Sequence, residues 1–311
     1  MIARAKARMR QALRRVALAD DDLAYGQQFA ARLAQGGLSR AARDLDLDDT
    51  RSWEFAAFSQ NGEDGLIEQL MRRVRQPNRY FVEIGASDGL ENNSSYLAFV
   101  RKYCGLMVDG DVALINRARR HLQSKNSGIN FLALRVEPDN VSSVLAESLE
   151  LRPDFFSLDI DGMDLYVAKA LLESGFRPRV VCVEYNSAFG PDAAVTIPYA
   201  VGFDYHQAHP SGLYYGASVQ GWISLFARYD YEFVTVDVSG VNAFFIDRAA
   251  VELDVAGLAR LTFAENVAQR TRLRGNWRSQ GALIEGLPLV DIENWVGFGR
   301  SGLEPSTNVQ V

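Results

Sequence analysis

From residue 60 onward, short apolar runs alternate with stretches whose apolar residues recur at helical spacing. Tyr80–Ile84, Gly105–Val108, Asn130–Val136, Phe155–Ile160 and Arg179–Tyr185 are apolar-rich runs of strand length. Stretches near 62–74, 92–102, 112–125, 139–149 and 164–175 lie around them and predict helices. In the first of these, Leu66, Ile67, Leu70 and Met71 share one face. Short apolar strands alternating with amphipathic helices predict a parallel sheet covered on both faces.

The end of the series discriminates between α/β folds. Tyr231–Asp237 and Ala243–Asp247 are two further strands, separated by little more than Ser239-Gly240. That is too short for a helical crossover, so the two must pair antiparallel as a hairpin. The predicted fold class is therefore α/β: the class I methyltransferase, Rossmann-like arrangement of seven strands with a reversed final hairpin, plus N-terminal helices. A plain dinucleotide-binding fold would continue with another parallel crossover.

Residues 1–58 read as an N-terminal helical extension, 59–250 as the main domain with a lid insertion at about 187–216, and 251–311 as a C-terminal segment. Within residues 1–19, Ile2, Ala5, Met9, Ala12, Leu13 and Val16 fall in one sector about 100° wide. The six basic residues Arg4, Lys6, Arg8, Arg10, Arg14 and Arg15 lie outside it. Two readings stand: peripheral contact with an anionic membrane surface, or packing on the chain's own domain or a sister subunit. Asp20-Asp21-Asp22 should break this helix and cap a second one over Leu23–Gln35, which Gly36-Gly37 should end. Trp277, Leu287, Leu289, Ile292 and Trp295 predict packing of the C-terminal segment on the body or on a second subunit. The last ten residues read as mobile.

Charge and cysteine content narrow the class. The formal net charge of −6 over 311 residues disfavours nucleic acid as a partner, because phosphate binding needs a broad basic surface. Cys104 and Cys182 sit in apolar runs and read as buried free thiols in strands, which fits a reducing, cytoplasmic compartment. No apolar run approaches a membrane span, and no apolar stretch follows the N-terminal basic residues as in a secretory signal.

The segment Phe81-Val82-Glu83-Ile84-Gly85-Ala86-Ser87-Asp88-Gly89 follows a strand and opens a helix. Glycines there let the backbone turn sharply and approach a ligand, at the sheet's switch point. Glu83 is expected to point into that crevice, where it would repel a pyrophosphate and accept hydrogen bonds from an ammonium group. S-adenosylmethionine (SAM) has such a group and no phosphate. Asp109 ends the second strand 20 residues beyond Gly89 and is placed to hold ribose hydroxyls. Gly85, Gly89 and Glu83 would hold the methionine part. Ser87 at the turn and Asp159 at the fourth strand end complete the predicted cofactor set.

Three stretches carry a family resemblance. Ser59-Gln60-Asn61-Gly62-Glu63-Asp64, the Val82–Gly89 turn with Glu91-Asn92-Asn93, and Ser157-Leu158-Asp159-Ile160-Asp161-Gly162 resemble the FkbM-type methyltransferases. The resemblance covers roughly residues 59–247. It implies a SAM-dependent enzyme of the class I fold, with O-methyl transfer to a sugar, glycan or glycolipid hydroxyl. Ser87 replaces the usual middle glycine of the turn, and Leu158-Asp159-Ile160-Asp161-Gly162 replaces Ile-Asp-Val-Glu-Gly.

Asp159, Asp161 and Asp164 follow the fourth strand, and Glu184 and Asn186 the fifth, so these oxygens should converge at adjacent strand ends. They suit a hard cation such as Mg²⁺ or Mn²⁺, or direct hydrogen bonding to a substrate. A structural role, Asp159 capping a turn and Asp164 a helix, is the third reading. The arrangement resembles the macrocin O-methyltransferase type, which implies that Asp161, Glu184 and Asn186 hold a metal and the acceptor hydroxyls.

His206 and His209 lie in the 187–216 connector with Tyr199, Phe203, Tyr205, Tyr214 and Tyr215. Either histidine is a candidate general base for a hydroxyl proton, beside Asp161, and the aromatics suit a hydrophilic ring. No further soft ligand is near to complete a zinc site. His121, in the helix after Asp109, reads as a surface residue. The rival readings are a nicotinamide-dependent sugar oxidoreductase and a non-catalytic interaction module.

Overall fold

The computed structural model describes residues 2–295, with side chains from Asp20 onward. In chain order the elements are helix α1 (Ile2–Ala42), α2 (Glu63–Met71), strand β1 (Tyr80–Ile84), α3 (Ser95–Phe99), β2 (Cys104–Asp109), α4 (Val112–Leu122), β3 (Ile129–Ala133), α5 (Val141–Glu147), β4 (Phe155–Leu158), α6 (Asp164–Glu173) and β5 (Val180–Glu184). Then come β6 (Val195–Thr196), α7 (Tyr205–Ala208), α8 (Val219–Ala227), β7 (Tyr231–Val236), β8 (Asn242–Asp247), α9 (Val267–Leu273), α10 (Trp277–Gly281) and β9 (Val290–Asp291).

The sheet order is β3-β2-β1-β4-β5-β8-β7. β1 to β5 pair parallel; β8 runs antiparallel to β5 and to β7. This is the class I methyltransferase arrangement, with the expected reversed hairpin. Alternate strand residues feed two cores. Phe81, Met107, Phe155 and Cys182 face α1 to α4, while Val82, Ile84, Val108, Leu158 and Val183 face α5, α6 and α8. Burial on both faces explains the near-continuous apolar runs. The order reverses direction between β1 and β4, and there the carboxyl ends open a crevice.

The N-terminal part departs from expectation. One helix runs through Asp20–Asp22 and through Gly36-Gly37. Asp21 instead meets Arg117 and Arg120 of α4, so the acids face a partner helix rather than a turn. A Cβ on Gly36 would lie 2.2 Å from the Cβ of Ala57. Gly36 is therefore a point of close approach between α1 and the body, inside the helix. The basic side chains before Asp20 lie outside the described residues, as do the last ten residues.

His121 is buried, not on the surface, and stacks on Tyr25 of α1 with ring centres 4.1 Å apart. Cys182 is buried as expected, but Cys104 is exposed, because it opens an edgeward strand whose buried run begins one residue later. The C-terminal segment packs on the chain itself. Trp295 meets Tyr166, Ile292 is buried, and β9 pairs with β6 of the lid. Among the described residues no helix is long and apolar enough to cross a membrane.

Candidate active site

Two adjoining cavities open at the carboxyl ends of the central strands. The larger, of about 770 Å³, is lined by Gly85, Ser87, Asp109, Asp159 and Asp161 with residues from 110–114 and 134–137. The smaller, of about 460 Å³, is lined by Asp161, Glu184, Tyr205, His206, His209, Tyr215, Gln269 and Arg272 among others. Asp161 borders both.

The turn after β1 is shaped by backbone proximity. Gly85 has φ +94°, and a Cβ there would lie 1.7 Å from the main-chain oxygen of Asp159. No other residue fits this crossing of the first and fourth strand ends. Ser87 takes φ +52°, where a glycine would be at ease, and its N–H donates to Asp109 Oδ2 at 2.8 Å. Asp109 Oδ1 accepts from the N–H of Asp111 at 2.8 Å. Each carboxylate oxygen has two lone pairs, so Asp109 can still accept from ribose hydroxyls.

Two residues of the predicted cofactor set sit elsewhere than expected. Glu83 does not point into the crevice. The strand's alternation sends it to the α2–α3 side, where it accepts from the N–H groups of Asn93 and Ser94 at 2.8 and 3.1 Å and from the Ser94 hydroxyl. Burial pushes its carboxyl up to about 7 against those bonds. It pins the loop leading into α3. Gly89 also stays out of the larger cavity: a Cβ there would meet Leu122 of α4 at 2.4 Å, so it serves close helix packing.

The acidic cluster forms. Oxygens of Asp159, Asp161 and Glu184 lie within 4.8 Å of one another. Asn186 makes backbone hydrogen bonds beside this cluster. Its Oδ1 accepts from the Ala188 N–H, and its Nδ2 donates to the carbonyls of Leu213 and Tyr215 at 2.6 and 3.0 Å. Its amide is consumed in tying the lid to the end of β5. Asp164 organises the cluster from below. Its two oxygens accept from the N–H groups of Ile160 and Gly162, both at 2.8 Å. That clamp holds Asp161 at φ +54°.

Burial, then mutual repulsion with Asp161 and Asp164, raises the carboxyl of Asp159 well above its ordinary value. Glu184 is raised in the same way, by burial and then by Asp159, Asp161 and Asp164. Asp161 is raised by burial, and His206 opposes that shift. Carboxyl groups crowded in this way gain from a proton or a cation. The all-oxygen donor set fits a hard divalent ion.

The His206 ring lies tilted against Tyr205, with ring centres 3.9 Å apart, while His209 Nδ1 is bonded to the Ser211 hydroxyl at 2.8 Å. Both histidines reach the smaller cavity. The sequence reading missed Gln269 and Arg272 there, and Arg135 and Glu137 in the larger cavity. Gln269 and Arg272 lie more than 50 residues from the lid and carry no motif. Arg135 and Glu137 stand just past the end of β3, a position that α/β geometry assigns to the crevice.

No family model matches this sequence, and no curated protein matches it. Solved structures to which it is similar include an O-methyltransferase from Bacillus cereus in complex with S-adenosylhomocysteine (SAH). It has 15% identity and a TM-score of 0.41, over 71% of this chain and 89% of its own. The O-methyltransferase TomG from Streptomyces achromogenes, in complex with SAM, has 15% identity and a TM-score of 0.40, over 68% of this chain and 93% of its own. TrmK from M. capricolum, in complex with SAH, has 11% identity and a TM-score of 0.36, over 67% and 81%.

Proposed function

We propose that this chain is a SAM-dependent O-methyltransferase acting on a hydroxyl of a sugar or glycan-type acceptor. The observation that carries this is the charge of the larger cavity at the switch point. Asp109, Asp111, Glu137, Asp159 and Asp161 line it with Arg135, the one Arg or Lys among its described lining residues, and Glu91 there is paired with Arg32. Such a wall repels a pyrophosphate, which disfavours a nicotinamide cofactor, and favours a ligand carrying a sulfonium and an ammonium. Gly85 and Ser87 form the turn against which the methionine part lies, and Asp109 takes the ribose. Glu83 acts at one remove, by holding the loop after the turn.

The cofactor supplies an electrophilic methyl group on a sulfonium. The chain's task is to place an acceptor oxygen in line with it and to take the hydroxyl proton. The smaller cavity, polar and aromatic, holds the acceptor, and its shared border at Asp161 is where the two substrates meet. His206 beside Asp161 takes the proton at an imidazole nitrogen; His209 is its alternate. Asp159, Asp161 and Glu184 would hold Mg²⁺ or Mn²⁺, which would supply Lewis acidity that lowers the pKa of a nearby hydroxyl. The basic residues before Asp20 add a peripheral contact with an anionic membrane where glycans are built. A chain that fails to co-sediment with anionic liposomes removes that last part alone.

Calorimetric titration with SAH, with NADH as the control, tests the central reading. SAH is expected to bind, and Asp109→Ala to weaken it about tenfold, the scale of a lost hydrogen bond to a charged group. Absence of SAH binding to folded protein sinks the methyltransferase reading.

A further inference from the structure

The C-terminal segment puts two side chains into the smaller cavity, and their chemistry bears on what enters it. Gln269 and Arg272 stand on α9, spaced to share a face of the helix. Gln269 Nε2 donates to the Tyr215 phenol at 2.9 Å, and that phenol donates to Glu184 Oε1 at 3.1 Å. The chain of bonds fixes the Gln269 amide. Its Oε1 is then left buried with no hydrogen-bond partner. That oxygen is closed off from the cavity, so what Gln269 offers there is the support of Tyr215 and, through it, of Glu184.

Arg272 is the only Arg or Lys among the described lining residues of this cavity. Its Nη2 donates to the Ser211 carbonyl at 2.9 Å, and no carboxylate pairs with it among the described residues. Its guanidinium lies along the Ser211-Gly212 turn. The cavity is thus divided, with Asp161 and Glu184 at the strand ends and a full positive charge contributed by α9. A neutral sugar has no use for that charge; a carboxylate or phosphate does.

We propose that α9 makes this cavity selective for a hydroxylated sugar bearing an anionic group. Arg272 pairs with the carboxylate or phosphate, while Gln269 holds the Tyr215 phenol that faces the sugar ring. The assignment of the cavity to the acceptor rests on the function proposed above; the ligand chemistry rests on α9 itself.

Saturation-transfer NMR on the full chain, with and without SAH, tests this with methyl α-glucoside, glucuronate and glucose 6-phosphate as probes. The charged sugars are expected to bind about five- to tenfold more tightly than the neutral one, the scale of one charge-assisted hydrogen bond. The stronger of the two charged probes tells carboxylate from phosphate. Arg272→Gln should bring all three to the same level, and Arg272→Lys should keep most of the preference. Gln269→Leu should weaken all three alike. A merely structural strap between α9 and the lid would shift the melting temperature without changing the ranking. Equal or absent signals in the unmutated chain, or a preference that survives Arg272→Gln, overturn the proposal. SAH binding is measured on the same samples. Its absence with the sugar preference intact sinks only the methyltransferase reading, and its presence without the preference sinks only this one.

Discussion

Gly85 and Asp159 meet backbone to backbone, and that contact sets the geometry of the turn after β1. An added methyl group would lie 1.7 Å from a main-chain oxygen that has nowhere to go. Gly85→Ala is therefore expected to cost about 1–3 kcal/mol of stability and to abolish SAH binding, seen by denaturant unfolding and calorimetry. Unchanged SAH affinity in that variant would show that the turn does not touch the cofactor. The carboxylates next to it make a second prediction. Mg²⁺ or Mn²⁺ should raise the melting temperature, approaching about 2.7 kcal/mol at a hundred times the dissociation constant. Glu184→Gln should remove the effect, and Asn186→Asp should not strengthen it, since the Asn186 amide is already spent on the lid. A melting temperature indifferent to both ions leaves the cluster to hydrogen bonding alone.

At the level of single elements, α1 is the departure that teaches most. Asp20–Asp22 and Gly36-Gly37 have the composition of a helix start and a helix stop, yet the helix continues through both. Arg117 and Arg120 supply the charge that makes the acids favourable mid-helix, and Ala57 supplies the surface that requires a glycine. Gly36→Ala improves helix propensity by about 1 kcal/mol in isolation. Here the 2.2 Å overlap with Ala57 should reverse the sign and lower the unfolding free energy. Ala57→Gly in the same chain should restore it, and a double variant no more stable than Gly36→Ala would refute the contact. The lid is likewise an element made by its neighbours. β6 is held between β9, almost a hundred residues later, and the backbone at Gly216–Ser218.

For the whole molecule, the notable feature is how many carboxyls are buried on the α2 side of the sheet. Burial pushes Glu54 and Glu83 up to about 7 and Asp64 up to about 6. A carboxyl raised in the folded state holds its proton more tightly folded than unfolded. Its stabilising contribution is therefore full near and below the ordinary value of about 4 and is lost as pH rises through about 6 to 7. The unfolding free energy should fall between pH 5.5 and pH 8 by at least about 1 kcal/mol. Glu83→Gln should flatten part of that slope. Stability that rises across this interval would contradict the burial of these groups as acids.

The alternation of apolar runs and helical spacings was enough to place all seven strands of the main sheet and the reversed hairpin. These depend on local pattern and on a loop too short to cross over. The crevice residues Gly85, Ser87, Asp109, Asp159 and Asp161 were legible for the same reason: a parallel sheet collects its carboxyl ends in one place. Side-chain direction and long-range partnership were not legible. Glu83 turned away because strand alternation sends it to the opposite face from Ile84, and the Asn186 amide is bonded to the carbonyls of Leu213 and Tyr215, which only the folded chain brings to it. Gln269 and Arg272 reached the smaller cavity only because the C-terminal segment folds back over residues 187–216, so they meet residues more than 50 positions away. Local spacing encodes which element a residue joins; which partner its polar atoms find depends on contacts that exist only after the chain has closed on itself.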